Sequence, residues 1–270
     1  MVNSLDGRLV LVTGAGGGIG GATAAAFAAE GCRLLCVDID GEAAEKTAAR
    51  CGEAGAEAEA FVCDVADWEA VSRLAATVHD DHGPLDVLVN NAGVGMTGGL
   101  DEMTVDDWRW IRSINLDGVV HGCLAFGPDM LAHGSGKVVN VSSGLAYTLR
   151  ATEPAYVTTK AAVLALSQCL RADWGSRGVA VSAVCPGVIA TPIVASTRYV
   201  GVRSAAEIRA RTERLFRWGH RPELVGRAVV NAVHHDRPLV TVGWEARLGW
   251  WLHRLLPLSV QQAAARVDLP

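Results

Sequence analysis

Short apolar runs rich in Val and Leu recur near residues 8–13, 33–37, 59–63, 86–90, 136–142, 179–184 and 238–243, separated by longer stretches. Runs this short, with so many strand-forming residues, predict seven β-strands. Val87-Leu88-Val89 and Val138-Val139-Asn140-Val141 are apolar without strict alternation, as expected of central strands covered on both faces. The stretches between the runs have helical character. A strand–helix alternation of this kind predicts an α/β fold, a doubly wound parallel sheet of about seven strands with helices on both faces. Past the last run, Trp244, Leu248, Trp251, Leu252 and Leu255 recur at the spacing of one helical face, with Pro257 ending the stretch.

The first run leads into Gly14-Ala15-Gly16-Gly17-Gly18-Ile19-Gly20 and then an alanine-rich helical stretch. A turn that grips phosphate needs backbone without Cβ atoms and a helix N-terminus whose free amides face the anion. G-x-G-x-x-G fits at Gly16, Gly18 and Gly21, but late relative to the strand. T-G-x-x-x-G-x-G, through Thr13, Gly14, Gly18 and Gly20, matches the strand end. A glycine cluster placed between a strand and a helix is consistent with a phosphate-binding turn. The second run ends at Asp38, where a carboxylate can accept hydrogen bonds from both adenosine ribose hydroxyls. No Arg or Lys follows in Ile39-Asp40-Gly41 to offset its repulsion of a 2′-phosphate, so NAD is favoured over NADP. The alternative is that Asp38 only caps the next helix.

Tyr156 and Lys160 form a Y-x-x-x-K pair thirteen positions after Ser143. Residues four apart share a helix face, so the ammonium can sit beside the phenol and lower a pKa that is ordinarily about 10. A serine can then donate to the oxygen that gains charge. Pro154 suits the first turn of the helix carrying the pair. Ser142 is the neighbour that could be confused with Ser143.

Taken together, these pieces resemble the short-chain dehydrogenase/reductase family of the single-domain type, over about residues 5–243. Asp64-Val65 resembles the pair beside the adenine ring, Asn90-Asn91-Ala92-Gly93 the central-strand signature, and Pro186-Gly187 with Thr191 the segment that holds the nicotinamide amide. Asn115 falls at the family's catalytic asparagine, and no core motif departs from the pattern. The resemblance implies a catalytic set of Asn115, Ser143, Tyr156 and Lys160. It implies a cofactor set of Gly14, Gly18, Ile19, Gly20, Asp38, Asp64, Val65, Asn91, Ala92, Gly93, Tyr156, Lys160, Pro186, Gly187, Ile189 and Thr191. Ser143 is preferred to Ser142 because its spacing to Tyr156 matches the family. The expected reaction is hydride transfer between NAD(H) and a secondary alcohol or ketone, with Tyr156 exchanging the proton and Lys160 also bonding the nicotinamide ribose. Asn115 would hold a water that relays protons from Lys160. An NADPH-dependent ketone reductase and a non-catalytic dinucleotide-binding scaffold are the alternatives; the complete catalytic set speaks against the second. A homotetramer or homodimer is implied as well.

The chain has 270 residues, half of them hydrophobic, which suits one large core. Its net charge of −5 gives no reason to expect nucleic acid. The first residues lack the apolar stretch of a signal peptide and no long uncharged apolar run follows, so a cytoplasmic protein is expected. Seven unpatterned cysteines read as reduced thiols, and His79, His82, His234 and His235 as solvated positions, so no metal is expected. Residues 191–219 fall where the family carries a lid. They offer Ile193, Val194, Tyr199, Val200, Ile208, Leu215, Phe216 and Trp218 beside Arg198, Arg203, Arg209, Arg211, Arg214 and Arg217; the arginines could meet a carboxylate or phosphate, but a surface helix with its arginines in water is the favoured reading. Leu145, Ala146, Tyr147, Thr148 and Leu149 could add an apolar wall. A hydrophobic substrate (steroid, terpenoid, polycyclic or long-chain) is the expectation. Residues 1–243 would form a single dinucleotide-binding catalytic domain, and 244–270 an amphipathic tail packed on the domain or a neighbouring subunit. For the tail's apolar stripe, cover over the substrate cleft and a membrane surface are further readings.

Overall fold

A computed structural model of the chain describes residues 4–201 and 205–265. Arg203, the side chains of Ile208 and Arg211, and the last residues of the tail lie outside that description. Strands β1 (Leu9–Thr13), β2 (Arg33–Asp38), β3 (Ala58–Val62), β4 (Val87–Asn90), β5 (Met96–Thr97), β6 (Gly136–Val141), β7 (Val179–Pro186), β8 (Arg198–Tyr199) and β9 (Leu239–Val242) alternate with helices. The helices are α1 (Gly18–Ala28), α2 (Gly41–Glu53), α3 (Trp68–His82), α4 (Val105–Arg112), α5 (Gly118–His133), α6 (Pro154–Trp174), α7 (Ile193–Ser196), α8 (Ala205–Arg217), α9 (Pro222–His234), α10 (Trp244–Leu255) and α11 (Leu258–Ala265).

All seven apolar runs are strands of one parallel sheet, ordered β3-β2-β1-β4-β6-β7-β9. The fold is the Rossmann-type doubly wound sheet. Along β1 the side chains alternate between two cores: Val10 and Val12 pack with Phe27, Val225 and Val229, while Leu9 and Leu11 pack with Leu74, Val78, Phe126 and Met130. An apolar residue at every position is therefore what a strand buried on both faces needs. Fully burying each of the Leu and Val side chains in this strand contributes roughly 1.5–3 kcal/mol. Chain order reverses between β1 and β4, so the crevice for a ligand opens at their carboxyl ends.

The tail differs from expectation in which face it buries. Helix α10 packs on the domain through Ala246 and Gly249, with Trp250 edge-on to Tyr147 at 5.1 Å between ring centroids. Trp244, Leu248, Trp251, Leu252 and Leu255 lie on the opposite side and are exposed, at 43–73% of their surface. The reading in which this stripe contacts its own domain is corrected: small residues win the inner face because the loop beneath comes too close for large ones. A Cβ at Gly249 would meet Thr148 Cγ2 at 2.7 Å. Among the described residues, no helix is long and apolar enough to cross a membrane.

Candidate active site

The glycine turn closes at the switch point. Gly14 takes φ +65°, and a Cβ there would sit 2.8 Å from the Ala92 Cα, so β1 and β4 approach too closely for any other residue. At Gly17 an added Cβ would meet nothing within 4 Å, leaving the mouth of the turn open in front of the α1 N-terminus. Thr13 Oγ1 accepts from the amides of Asn91 (3.0 Å) and Ala92 (3.1 Å). The Asn91 side chain donates to the Thr13 and Gly14 carbonyls at 2.9 and 3.2 Å, so it braces the turn. Asp38 Oδ2 accepts from the Gly16 amide at 2.8 Å, which sets the carboxylate beside the turn. The cap of α2 is Asp40, whose Oδ1 accepts from the Ala43 amide at 3.1 Å. Asp38 is thus not spent on capping. An open, Cβ-free cradle, free helix amides and a carboxylate one strand away fit a dinucleotide. Asp64 is exposed, with its carboxylate on the Ala66 amide, while Val65 is buried against Gly118.

Ser143, just past the carboxyl end of β6, and Lys160, on α6, are buried, as is Asn115 in the turn before α5; Tyr156, on α6, is partly so. Ser143 Oγ accepts from the Leu145 amide at 3.1 Å and its hydroxyl faces the Tyr156 phenol. Lys160 Nζ donates to the Val141 carbonyl at 3.1 Å and lies 5.9 Å from the Tyr156 ring centroid. Ser142, the neighbour, turns away and donates to the Lys160 carbonyl at 2.7 Å. Asn115 sits in a π-helical turn, Ser113–Asp117. Its side chain is committed: Oδ1 accepts from the Val94 amide at 2.8 Å and Nδ2 donates to the Val94 carbonyl at 2.9 Å. A Cβ added to Gly93 would be 3.2 Å from both Asn115 Oδ1 and Lys160 Nζ, so Gly93 keeps the space between them clear.

The electrostatics depart from the simple picture of an acidified phenol. Burial pushes Tyr156 up to about 12, with the Ser143 hydrogen bond pulling the other way and Glu153 adding to the rise. Burial brings Lys160 down to about 8. Desolvation is thus the largest influence on each of the two groups. Glu153 is itself raised by burial, opposed by Arg150, its partner at 3.1 Å.

Pro186 ends β7, and the next residues are held on one edge. Gly187 donates to the Val242 carbonyl, and His220 brackets Ile189 by donating to Val188 and accepting from Ala190 at 2.9 and 2.8 Å. In that pattern the Ile189 amide points away from His220. The Thr191 methyl and Cβ lie over the turn, 3.3 Å from where a Gly18 Cβ would be. Gly14, Gly18, Asn91, Ala92 and Thr191 meet at the glycine turn, Gly93 adjoins Asn115 and Lys160, and Ile19 and Ile189 pack in the core beneath; Asp64 is exposed and Val65 packs on Gly118. The lid segment has its described helical arginines in water, as a surface helix would, but Trp218 is not turned inward. Trp218 is 86% exposed, and Arg209, Arg214 and Arg217 face water. Arg198 lies over Trp110 at 3.7 Å. Tyr147 turns from the cleft and donates to the Ala246 carbonyl at 2.9 Å. His79 and His82 pair with Asp129 and Glu59.

The family model described as short chain dehydrogenase matches residues 8–199. The chain belongs to the short-chain dehydrogenase/reductase family. It is similar to "Probable oxidoreductase EphD" of Mycobacterium tuberculosis, 39% identical over 262 residues, covering 95% of this chain but 44% of that protein. The chain thus spans less than half the length of that relative. It is 40% identical over 189 residues to the D-threitol dehydrogenase of Mycolicibacterium smegmatis, covering 70% of this chain and 73% of the other. A short chain dehydrogenase/reductase from Burkholderia phymatum, solved in complex with NAD, superposes with a TM-score of 0.87 at 28% identity, covering 99% of this chain and 98% of that one. Beyond the family motifs, the site includes two residues the sequence reading did not single out: Glu153 beside Tyr156, and Glu245, which bonds the amide of Val188. Glu245 carries no local signal, since its partner lies 57 positions away, whereas Glu153 lies three residues from both Tyr156 and its partner Arg150.

Proposed function

We propose that the protein transfers hydride between a nicotinamide dinucleotide, NAD rather than NADP, and a secondary alcohol or ketone. The observation that carries this reading is the convergence of Ser143, Tyr156 and Lys160 beside the glycine turn. When bound, the oxidised nicotinamide supplies the hydride acceptor. Tyr156 exchanges the proton of the substrate oxygen, and Ser143 holds that oxygen by hydrogen bonding. Lys160 bonds the nicotinamide ribose and offers positive charge to the phenol. With the Asn115 side chain tied to Val94, a relay water would rest on main-chain oxygens of the π-helical turn. Gly14, Gly18 and Gly20 would take the pyrophosphate, Asp38 the adenosine ribose, and the Ile189 amide the carboxamide.

Tyr156 packs with Val94, Met103, Trp108 and Trp110 against one apolar cluster of Met96, Ile111 and Ala155, which supports a hydrocarbon-rich substrate. A polyol is the second reading, supported by the similarity to D-threitol dehydrogenase and by the half-buried Glu153–Arg150 pair near the phenol. Screening hydrophobic secondary alcohols against four- to six-carbon polyols, with NAD and following the reduced cofactor by absorbance, separates them. Reduction with neither set would defeat the reading. The protein would act as a homo-oligomer in the cytoplasm; exposed Leu124 on α5 and the small residues of α6 support assembly.

Asp38→Ser is expected to weaken NADH binding about 10–100-fold, the loss of charged hydrogen bonds worth about 1.5–3 kcal/mol. NADPH affinity should hold or improve. Titrating both cofactors against wild type and variant checks this, and an NADPH preference in the wild type would overturn the choice of NAD.

A further inference from the structure

We propose that Glu245 is a positioning residue for hydride transfer, and that the first turn of α10 sets the distance between the nicotinamide-holding segment and the serine loop. This rests on the reading above and extends it to a helix outside the matched family region, which ends at residue 199.

Glu245 grips the segment after β7 from behind. Its Oε1 accepts from the Val188 amide at 2.7 Å, and its Oε2 pairs with His220 Nε2 at 3.0 Å. The backbone of His220 is the one that brackets Ile189. One carboxylate therefore holds both strands of the small bridge that presents the Ile189 amide. The carboxylate also fits between two glycines: a Cβ on Gly187 would collide with it, and one on Gly243 would come within 2.8 Å. The carboxylate is only partly exposed, and it lies at the N-terminus of α10, where a helix favours negative charge.

The adjacent residue binds the other half of the site. The Ala246 carbonyl accepts from Tyr147 Oη at 2.9 Å, and Ala246 Cβ lies 3.3 Å from where a Gly144 Cβ would be. Gly144 directly follows Ser143. Two consecutive residues of one rigid helix thus fasten the segment expected to hold the nicotinamide and the loop that carries Ser143. Hydride transfer depends steeply on the separation these two loops define, and a displacement of about 1 Å can lower turnover about 100-fold.

The test compares wild type, Glu245→Gln, Glu245→Ala and His220→Ala for thermal midpoint, NADH affinity, kcat and KM on an alcohol found by the screen. Glu245→Ala is expected to lower kcat about 30–100-fold and weaken NADH about 10-fold at temperatures where it stays folded. Glu245→Gln keeps an acceptor for Val188 and should stay within about 3-fold of wild type. His220→Ala, which spares the Val188 contact, should lower kcat about 3–10-fold and carries the test should Glu245→Ala not fold. A drop in thermal midpoint with unchanged kcat and NADH affinity would overturn the positioning role, as would Glu245→Gln failing like Glu245→Ala. Wild type that binds neither NADH nor NADPH would remove the functional reading and this inference with it. Wild type that binds and turns over, matched by Glu245→Ala, would remove the inference alone.

Discussion

Tyr156→Phe is expected to lower turnover by about 10³-fold or more while leaving NADH affinity within about 3-fold. The phenol is placed where a proton must come and go, with Ser143 facing it and Lys160 one helical turn on. Phenylalanine keeps the ring in its apolar wall and removes only the hydroxyl. No other phenol can substitute: Tyr147 is bonded to Ala246, and Tyr199 belongs to the β5–β8 ribbon. The variant therefore separates proton exchange from folding and from cofactor binding. Steady-state kinetics paired with fluorescence titration of NADH make the measurement, and full turnover would refute the assignment.

Lys160→Met is the second large effect, and it runs in opposite directions for activity and stability. Turnover is expected to fall about 10²-fold or more, because burial already holds the phenol at about 12 and removing the cation on the next helical turn leaves still less of it able to accept a proton. Stability is expected to rise. Burial lowers the folded-state pKa of Lys160 from 10.5 to about 8, so between these values the folded chain binds fewer protons than the unfolded one. Stability then increases with pH across that window, and below it the full penalty for burying the ammonium is present. The upper bound is about 3 kcal/mol, reduced by loss of the bond to the Val141 carbonyl. Melting of wild type and variant at about pH 7 and about pH 10 checks the sign: the variant's advantage should shrink as pH rises. A constant difference would mean that Lys160 is not held at a depressed pKa. A buried cation that weakens the fold is what a functional site tolerates.

Much of the fold was legible because its signals are local. Each strand of the main sheet announces itself as an apolar run, and the turn at Gly14 and Gly18 needs glycine wherever it occurs, given their positive φ. The features that were not legible depend on distant partners. Met96–Thr97 and Arg198–Tyr199 pair across about a hundred positions with too few residues to show a period. The π-helical turn at Ser113–Asp117 arises where Asn115 bonds Val94, a contact between two elements. The orientation of α10 runs against its pattern: a strong apolar stripe predicts contact, whereas close approach to Gly144 and Thr148 selects Ala246 and Gly249. The rise in the phenol's pKa is illegible for a related reason: spacing gives the neighbour of Tyr156, but burial depends on the whole fold.

The most direct measurement follows isotope from substrate to cofactor. A secondary alcohol deuterated at its carbinol carbon, incubated with NAD and the protein, should deliver the label to the reduced nicotinamide with wild type. With Tyr156→Phe the transfer should be nearly absent, although that variant still binds NADH. Label moving at the same rate in both proteins would show that the proton leaves by another route, and the role given to Tyr156 would be wrong.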